Sequence, residues 1–268
     1  MGAERVRVAP PSIRAAVVRT GTVAGVEVGQ IWRYPVKSAQ GERVHRSRVT
    51  GLGLEWDRQL AVVDSATGRA LTARREPKLL MLSATVVGNR LRLDSPEKRP
   101  VHSDDDLSSW LGRRVRLARP PTDRQPEYEF PVDPEHEAGA WDVWSGPVGV
   151  WHDSTRTRVS ILSTGSLRDW PVRRFRPNIL LDGTGENDLV GRRIRVGSVV
   201  LDVMKRIDRC VMVARAQPGG IERDLDVLRT VLRDSEGFLG IGAVVATPGE
   251  IRVDDVVADL GPTPQTPT

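Results

Sequence analysis

Met81-Leu82-Ser83-Ala84-Thr85-Val86-Val87-Gly88-Asn89-Arg90-Leu91-Arg92-Leu93-Asp94 decides the fold class. Two alternating runs flank Gly88-Asn89. Alternation with a period of two sends successive side chains to opposite faces of a strand. A two-residue connection built on Gly and Asn tolerates the backbone that a tight hairpin demands. The stretch therefore reads as a β-hairpin.

Strands dominate on either side of it. Upstream, Val26-Glu27-Val28-Gly29 opens a strand that runs through Ile31 and Trp32, and Pro35 ends its regular pairing. Tyr34-Pro35-Val36-Lys37-Ser38 then reads as a turn, and Gly51 to Arg58 as a glycine-punctuated loop entering the strand Leu60 to Asp64. Downstream, Ser103 before Asp104, Asp105 and Asp106 predicts a helix start, since a hydroxyl caps free amides and carboxylates favour the positive end of the helix dipole. Leu107, Trp110 and Leu111 give that helix one apolar face, and Gly112 stops it. Arg113 to Ala118 reads as another strand.

Pro120, Pro121, Pro126, Pro131 and Pro134 break regular structure and predict a domain junction. Trp141, Trp144 and Trp151 fall in this irregular region and read as packing or pocket-wall residues. Beyond it come a strand at Val159 to Leu162, a short helix capped by Ser163 or Thr164, a buried run Ile179 to Asp182, and a hairpin from Ile194 to Val203. Ile221, Leu225, Leu228 and Leu232 are spaced for one helix face. Ile241 to Ala246, a Pro248-Gly249 turn and Ile251 to Val253 close the pattern. Many short strands and few helices predict a mainly β fold of β-barrel type. The division expected is a loose extension at 1–24, a β-rich domain at 25–119, a second β-barrel domain at 120–260 and a disordered tail at 261–268.

Composition narrows the function. Forty Lys and Arg against 35 Asp and Glu leave a net charge of +5 scattered along the chain. A nucleic-acid binder gathers such charge on one element with exposed aromatics, so no nucleic-acid partner is expected. Met1 to Gly25 carries Glu4, Arg5, Arg7, Arg14 and Arg19 and lacks an uninterrupted apolar core. It does not read as a signal peptide, and no stretch is apolar enough to span a bilayer. A soluble cytoplasmic protein without a membrane partner is expected.

One cysteine excludes an internal disulfide, a Cys-rich zinc site and a four-cysteine iron–sulfur cluster. His45, His102, His136 and His152 form no His-Glu-x-x-His pattern, so a histidine metal site is not expected. No Gly-x-Ser-x-Gly elbow and no Gly-Lys-Ser/Thr phosphate loop is present. The cysteine itself lies in Lys205-Arg206-Ile207-Asp208-Arg209-Cys210-Val211-Met212-Val213. Nearby positive charge favours a thiolate, the metal-binding form, and a soft thiolate selects soft or high-valent metals. The ordinary alternative is a small buried hydrophobe.

Tyr34-Pro35-Val36-Lys37-Ser38, Gly53-Leu54-Glu55-Trp56-Asp57-Arg58, Phe175-Arg176-Pro177-Asn178 and Arg209-Cys210 occur in the order found in MOSC proteins. From about Gly25 to Asp259 the chain resembles the amidoxime-reducing branch, in which an N-terminal β-barrel domain precedes the MOSC domain. The resemblance implies two β-rich parts with a cofactor cleft between them. It implies a molybdenum cofactor, a metal held by a pterin dithiolene and by Cys210, which is then both catalytic and metal-ligating. Lys37, Ser38, Arg58, Arg176, Asn178 and Arg209 are implied to hold pterin and phosphate, joined by Ser163 and Ser166. Arginine suits such a site through its planar fork, lysine through its point charge. Taken singly, each has an ordinary alternative: Lys37 a solvated turn residue, Arg58 and Arg176 ion-pair partners of Asp57 and Asp182.

The implied reaction is reduction of an N-hydroxylated or N-oxide-like small molecule, with electrons from an external electron-transfer protein or reductase. Pyridoxal phosphate is not expected. A sulfur-carrying or cofactor-carrying role for Cys210 is the first alternative, because the wider family includes sulfurase-associated domains. A non-catalytic anion-binding domain is the second. The chain departs from the branch after Cys210. Val211-Met212-Val213-Ala214-Arg215-Ala216-Gln217-Pro218-Gly219-Gly220 stands where relatives carry threonines and a Val-Asp-Pro-x-Thr-Gly segment.

Overall fold

The computed structural model describes residues 26–131 and 140–264. The extension expected at 1–24 and the last four residues lie outside them. The fold is mainly β, with three short α-helices among the described residues.

Four strands open the chain: β1 Glu27–Arg33, β2 Glu42–Val44, β3 Arg46–Thr50 and β4 Gly53–Leu54. β5 Ala61–Asp64 precedes the expected hairpin, β6 Ser83–Val87 and β7 Arg90–Asp94, in which Val87 faces Arg90 across the turn. Asn89 takes the left-handed backbone there (φ 63°), as the two-residue turn requires. Helix α1, Asp104–Leu111, starts on a full capping box: Ser103 accepts from the Asp106 amide, and Asp106 accepts from the Ser103 amide. Gly112 ends it in the left-handed region. β8 Val115–Ala118 pairs with β5, and its outer amides are capped by α1, Leu117 N on Asp104 and Val115 N on Ser108.

The proline-rich stretch is more regular than its composition suggests. β9 Glu127–Pro131 and β10 Trp141–Ser145 form an antiparallel pair. Pro131 is the last residue of β9, at the end of its pairing with β10. Trp151 is buried against Tyr128 in an edge-on contact and donates to the Ala118 carbonyl, so it is a packing residue.

The second half supplies β11 Val159–Ser163, the one-turn α2 Thr164–Leu167, β12 Ile179–Asp182, β13 Arg192–Val196, β14 Val199–Asp208, α3 Leu225–Ser235, β15 Phe238–Thr247, β16 Gly249–Arg252 and β17 Val257–Pro262. Eight strands join in the order β17-β13-β14-β15-β11-β12-β1-β2, with β11 and β12 the parallel pair. β17 corrects the tail expected from Gly261. Gly261 and Pro262 still belong to a strand on β13, and Thr263 N donates to the Gly191 carbonyl.

Strands β1 and β3 hydrogen-bond into the second half, β1 on β12 and β3 on β16. One core accordingly mixes Val28, Ile31, Val49 and Leu54 with Val159, Ile179, Leu201 and Ile241. A second core is built from residues of the first half, including Val36, Val62, Leu79, Leu82 and Leu107. A third gathers Leu162, Phe175, Leu180, Val213, Val227 and Val231. Met212 packs on the second core while its neighbour Val213 enters the third. The turn after Cys210 therefore bridges two cores.

Helix α3 forms where expected, with a different buried face. Val227 and Val231 are inside, whereas Leu225 is 36% and Leu232 54% exposed. Ile221 lies before the helix and bridges back to Gln217.

Candidate functional site: a cationic cleft around Cys210

Three turns and one strand end converge on a cleft of about 530 Å³. The first turn leaves β1. Pro35 breaks the ladder, the Val36 backbone pairs in parallel with Leu60, and Lys37 N donates to the Leu60 carbonyl. The second turn holds Asp57 and Arg58. Asp57 is buried, accepts from the Tyr34 amide at 2.8 Å and binds Arg58 Nη1 at 2.5 Å. The third is Phe175 to Asn178. Arg176 Nη1 donates to the Ala39 carbonyl at 2.6 Å, which ties this turn to the first. Strand β14 ends at Asp208, and Cys210 follows at its mouth with intermediate exposure.

Lys37, Ser38, Arg58, Arg176, Asn178, Arg209 and Cys210 all line this cleft. Ser38, Arg58 and Arg176 have positive φ (67°, 50° and 52°), an arrangement that costs a non-glycine residue on the order of 1 kcal/mol or more. Such outliers persist only where surrounding contacts hold them. Here the holding contacts are Ser38 Oγ accepting from Ala73 N, Asp57 gripping Arg58, and the Arg176–Ala39 bond.

The ordinary alternatives meet mixed outcomes. Arg58 does pair with Asp57, yet Asp57 is sealed behind it and Arg58 still borders the cleft. Arg176 does not pair with Asp182. Its guanidinium lies 4.2 Å from the Tyr34 ring centroid, and its Nη2 is buried without a hydrogen-bond partner. Lys37 is no solvated turn residue: it is 3% exposed, lies over the Tyr128 ring and pairs with Asp153.

Asn178 is committed largely to the fold. Its Oδ1 accepts from Ser160 N and Ser160 Oγ, and its Nδ2 donates to the Trp32 carbonyl. One amide hydrogen is left for a ligand. Ser163 and Ser166 do not line the cleft. Ser163 is fully buried and donates to Glu186 Oε2, and the Ser166 hydroxyl lies 3.1 Å from it. A cofactor-holding role for these two serines is therefore corrected: Ser163 serves the buried Glu186 carboxylate, and Ser166 meets Ser163.

The cleft is strongly cationic. Lys37, Arg58, Arg74, Arg174, Arg176, Lys205 and Arg209 line it against Glu129, Asp153 and Asp208. Burial lowers the pKa of Arg176 and of Arg209 to about 10, and both stay charged at neutral pH. Burial also pushes the Lys37 amine down, with Asp153 opposing it. Burial works against the charge on Arg58, but Asp57 outweighs it and holds the guanidinium above its usual range. His152, buried beside Asp57, is driven well below the usual imidazole range by burial and then by Arg58, Arg158 and Lys37. It is neutral at pH 7.

Asp153, His152 and Arg174 are lining residues that motif reading passed over. Asp153 is 116 positions from Lys37, and no local pattern marks it. Among the described residues no group of three or more His, Cys, Asp or Glu side chains gathers to hold a metal, and no helix is long and apolar enough to cross a membrane.

Family models match in the same order as the motifs. The MOSC N-terminal beta barrel domain matches residues 25–116 and the MOSC domain residues 152–258. A mitochondrial amidoxime reducing component 2 from Macaca fascicularis is 37% identical over 96% of this chain and 89% of its own length. This chain belongs to the MOSC family. A mitochondrial amidoxime-reducing component 1 from Homo sapiens is 26% identical over 94% of the chain and 87% of its own length. A molybdenum cofactor sulfurase from Drosophila mojavensis is 26% identical over 81% of the chain, which spans 31% of that relative. The matched MOSC segment carries Arg176, Arg209 and Cys210, and the N-terminal segment carries Lys37 and Arg58. The cleft thus draws on both.

Proposed function

We propose that this MOSC protein is a molybdenum-cofactor oxidoreductase that reduces N-hydroxylated or N-oxide-like small molecules. The supporting observation is the convergence of Lys37, Arg58, Arg176 and Cys210, far apart in sequence, on one cationic cleft. Relatives named amidoxime-reducing components supply the reaction class.

The residues fit the family's cofactor. A pterin phosphate needs convergent donors, and the buried Arg176 Nη2 lacks an acceptor. Arg58 and Arg176 offer planar forks, Lys37 a point charge and Ser38 a hydroxyl. Cys210 offers the one thiolate, a ligand suited to a high-valent soft-ligand metal. When bound, the molybdenum centre supplies two-electron redox chemistry. In the net reaction the substrate N–O bond breaks, two electrons and two protons are taken up, and the oxygen leaves as water.

The chain's own residues bind and orient. The Tyr34 ring backs both Arg58 and Arg176, at 5.0 and 4.2 Å, and fixes their forks. Met212 and Val213 form an apolar wall beside Cys210 that limits water. With one cysteine and no flavin or haem signature, electrons come from a separate redox protein.

Metal and pterin analysis of protein from a cofactor-producing host tests the reading. Molybdenum and pterin near one per chain support it, and their absence from folded protein made in such a host overturns it. Amidoxime turnover with NADH or NADPH alone would refute the need for a separate electron donor.

A further inference from the structure

The residues on either side of Cys210 are tied to the Arg174-Phe175 segment. Arg209, just before the cysteine, donates from Nη1 to the Phe175 carbonyl and from Nε to the Leu239 carbonyl, both at 2.8 Å. On the other side, Arg174 donates from Nη1 to the carbonyls of Val213 (3.1 Å) and Arg215 (3.3 Å), and from Nη2 to that of Glu222 (2.7 Å). One guanidinium therefore closes the loop that follows the cysteine.

Other contacts hold that loop at single points: Arg173 Nη2 donates to the Pro218 carbonyl at 2.5 Å, Gln217 Nε2 to the Arg173 carbonyl at 3.4 Å, Arg215 Nη2 to the Arg74 carbonyl at 3.2 Å and Asp224 N to the Ala214 carbonyl at 2.8 Å, whereas Arg174 spans it with three bonds. Gly219 and Gly220 both take positive φ, and its local ladder is the single Gln217–Ile221 bridge. Arg174 is 6% exposed and has no carboxylate in ion-pair range among the described residues. A buried cation that meets only carbonyls, with its Nε left without a partner, is costly to keep, and its planar fork spreads rigidly placed donors over three acceptors.

We propose that Arg174 is the positioning residue for Cys210: it holds the Val213–Glu222 loop so that the thiol stays at the cleft wall. The metal-ligand role of Cys210 rests on the proposed function, whereas the placement itself does not.

The single cysteine makes the test direct, because a thiol reagent reports Cys210 and nothing else. Labelling rates are compared in cofactor-free protein with an uncharged reagent at one fixed pH. Arg174→Gln should raise the rate by about tenfold or more, as expected when charge-assisted bonds that close a loop are lost. Arg174→Lys, with one ammonium in place of a fork, should fall between. In protein from a cofactor-producing host, Arg174→Lys should also lower molybdenum relative to pterin. An unchanged labelling rate in a folded Arg174→Gln or Arg174→Lys variant overturns the positioning role. A raised rate with no molybdenum in the unaltered protein leaves the positioning standing and removes the proposed function instead.

Discussion

Arg58 donates from Nη2 to the backbone carbonyl of Arg176 at 3.5 Å, across 118 positions of sequence. Neither side chain could line one cleft with the other unless the turns after β4 and before β12 were locked together. Tyr34 completes the lock: both guanidinium groups lie over its ring, and its hydroxyl donates to the Pro177 carbonyl at 3.2 Å. The cationic face is thus built into the fold before any ligand arrives.

Arg176 carries the clearest unmet demand in that face. Arg176→Gln removes the Ala39 contact and the orphaned Nη2 together. Pterin retained after gel filtration should drop by about tenfold or more, since a charge-assisted phosphate contact contributes about 1.5–3 kcal/mol. Arg176→Lys should recover part of it. Full pterin content in Arg176→Gln would remove this residue from the site.

Helix α3 shows where pattern reading stops. Leu225, Leu228 and Leu232 repeat at helical spacing, yet tertiary packing buries Val227 and Val231 against the third core. Leu232→Ser should change stability by less than about 0.5 kcal/mol, and Val231→Ala should cost roughly 1–3 kcal/mol. Urea unfolding of both variants measures this. A larger loss for Leu232→Ser would mean that the leucine face is covered.

Much of the rest was legible. The capping box at Ser103 and the Gly88-Asn89 hairpin are local events, written in adjacent residues. Lys37, Arg58, Arg176 and Cys210 could be named because each sits in a motif. Asp153 could not, because its significance comes from a partner 116 positions away. Ser163 and Ser166 looked available as donors because Glu186, which engages Ser163, lies 23 positions further on. Whether a polar side chain is free for a ligand is a property of the folded contacts.

Cys210 separates a ligand from a packing residue. Its exposure is intermediate and it appears in none of the buried cores. Cys210→Ala should cost no more than about 1 kcal/mol and shift the melting temperature by a few degrees at most. Pterin should remain in part, through contacts elsewhere in the cleft, while molybdenum and reductase activity are lost. Melting temperature, metal content and activity are read on one sample, and full activity in this variant sinks the ligand role.

Lys37 gives a pH dependence with a defined sign. The Lys37 side chain is 4% exposed, while the Asp153 side chain that pairs with it is 76% exposed. Burial lowers the Lys37 pKa below the ordinary lysine value of 10.5, and Asp153 restores part of the shift. The unfolded chain therefore holds this proton more tightly than the folded one. Stability rises with pH wherever the unfolded state binds more protons, which is the interval between the lowered value and 10.5. Below that interval the lysine is charged in both states and the burial penalty is fully present. Lys37→Met removes the penalty and leaves Asp153 in water, so at pH 7 the variant should be at least as stable as the parent. The Lys37 contribution to the alkaline rise should be missing from the variant's stability–pH curve and so appear in the difference between the two curves. Pterin retention should fall in the same variant, because a methionine presents no charge to a phosphate. A Lys37→Met protein that is less stable at pH 7, with the alkaline slope intact, would show that the Lys37–Asp153 pair holds the fold together and is not kept for binding.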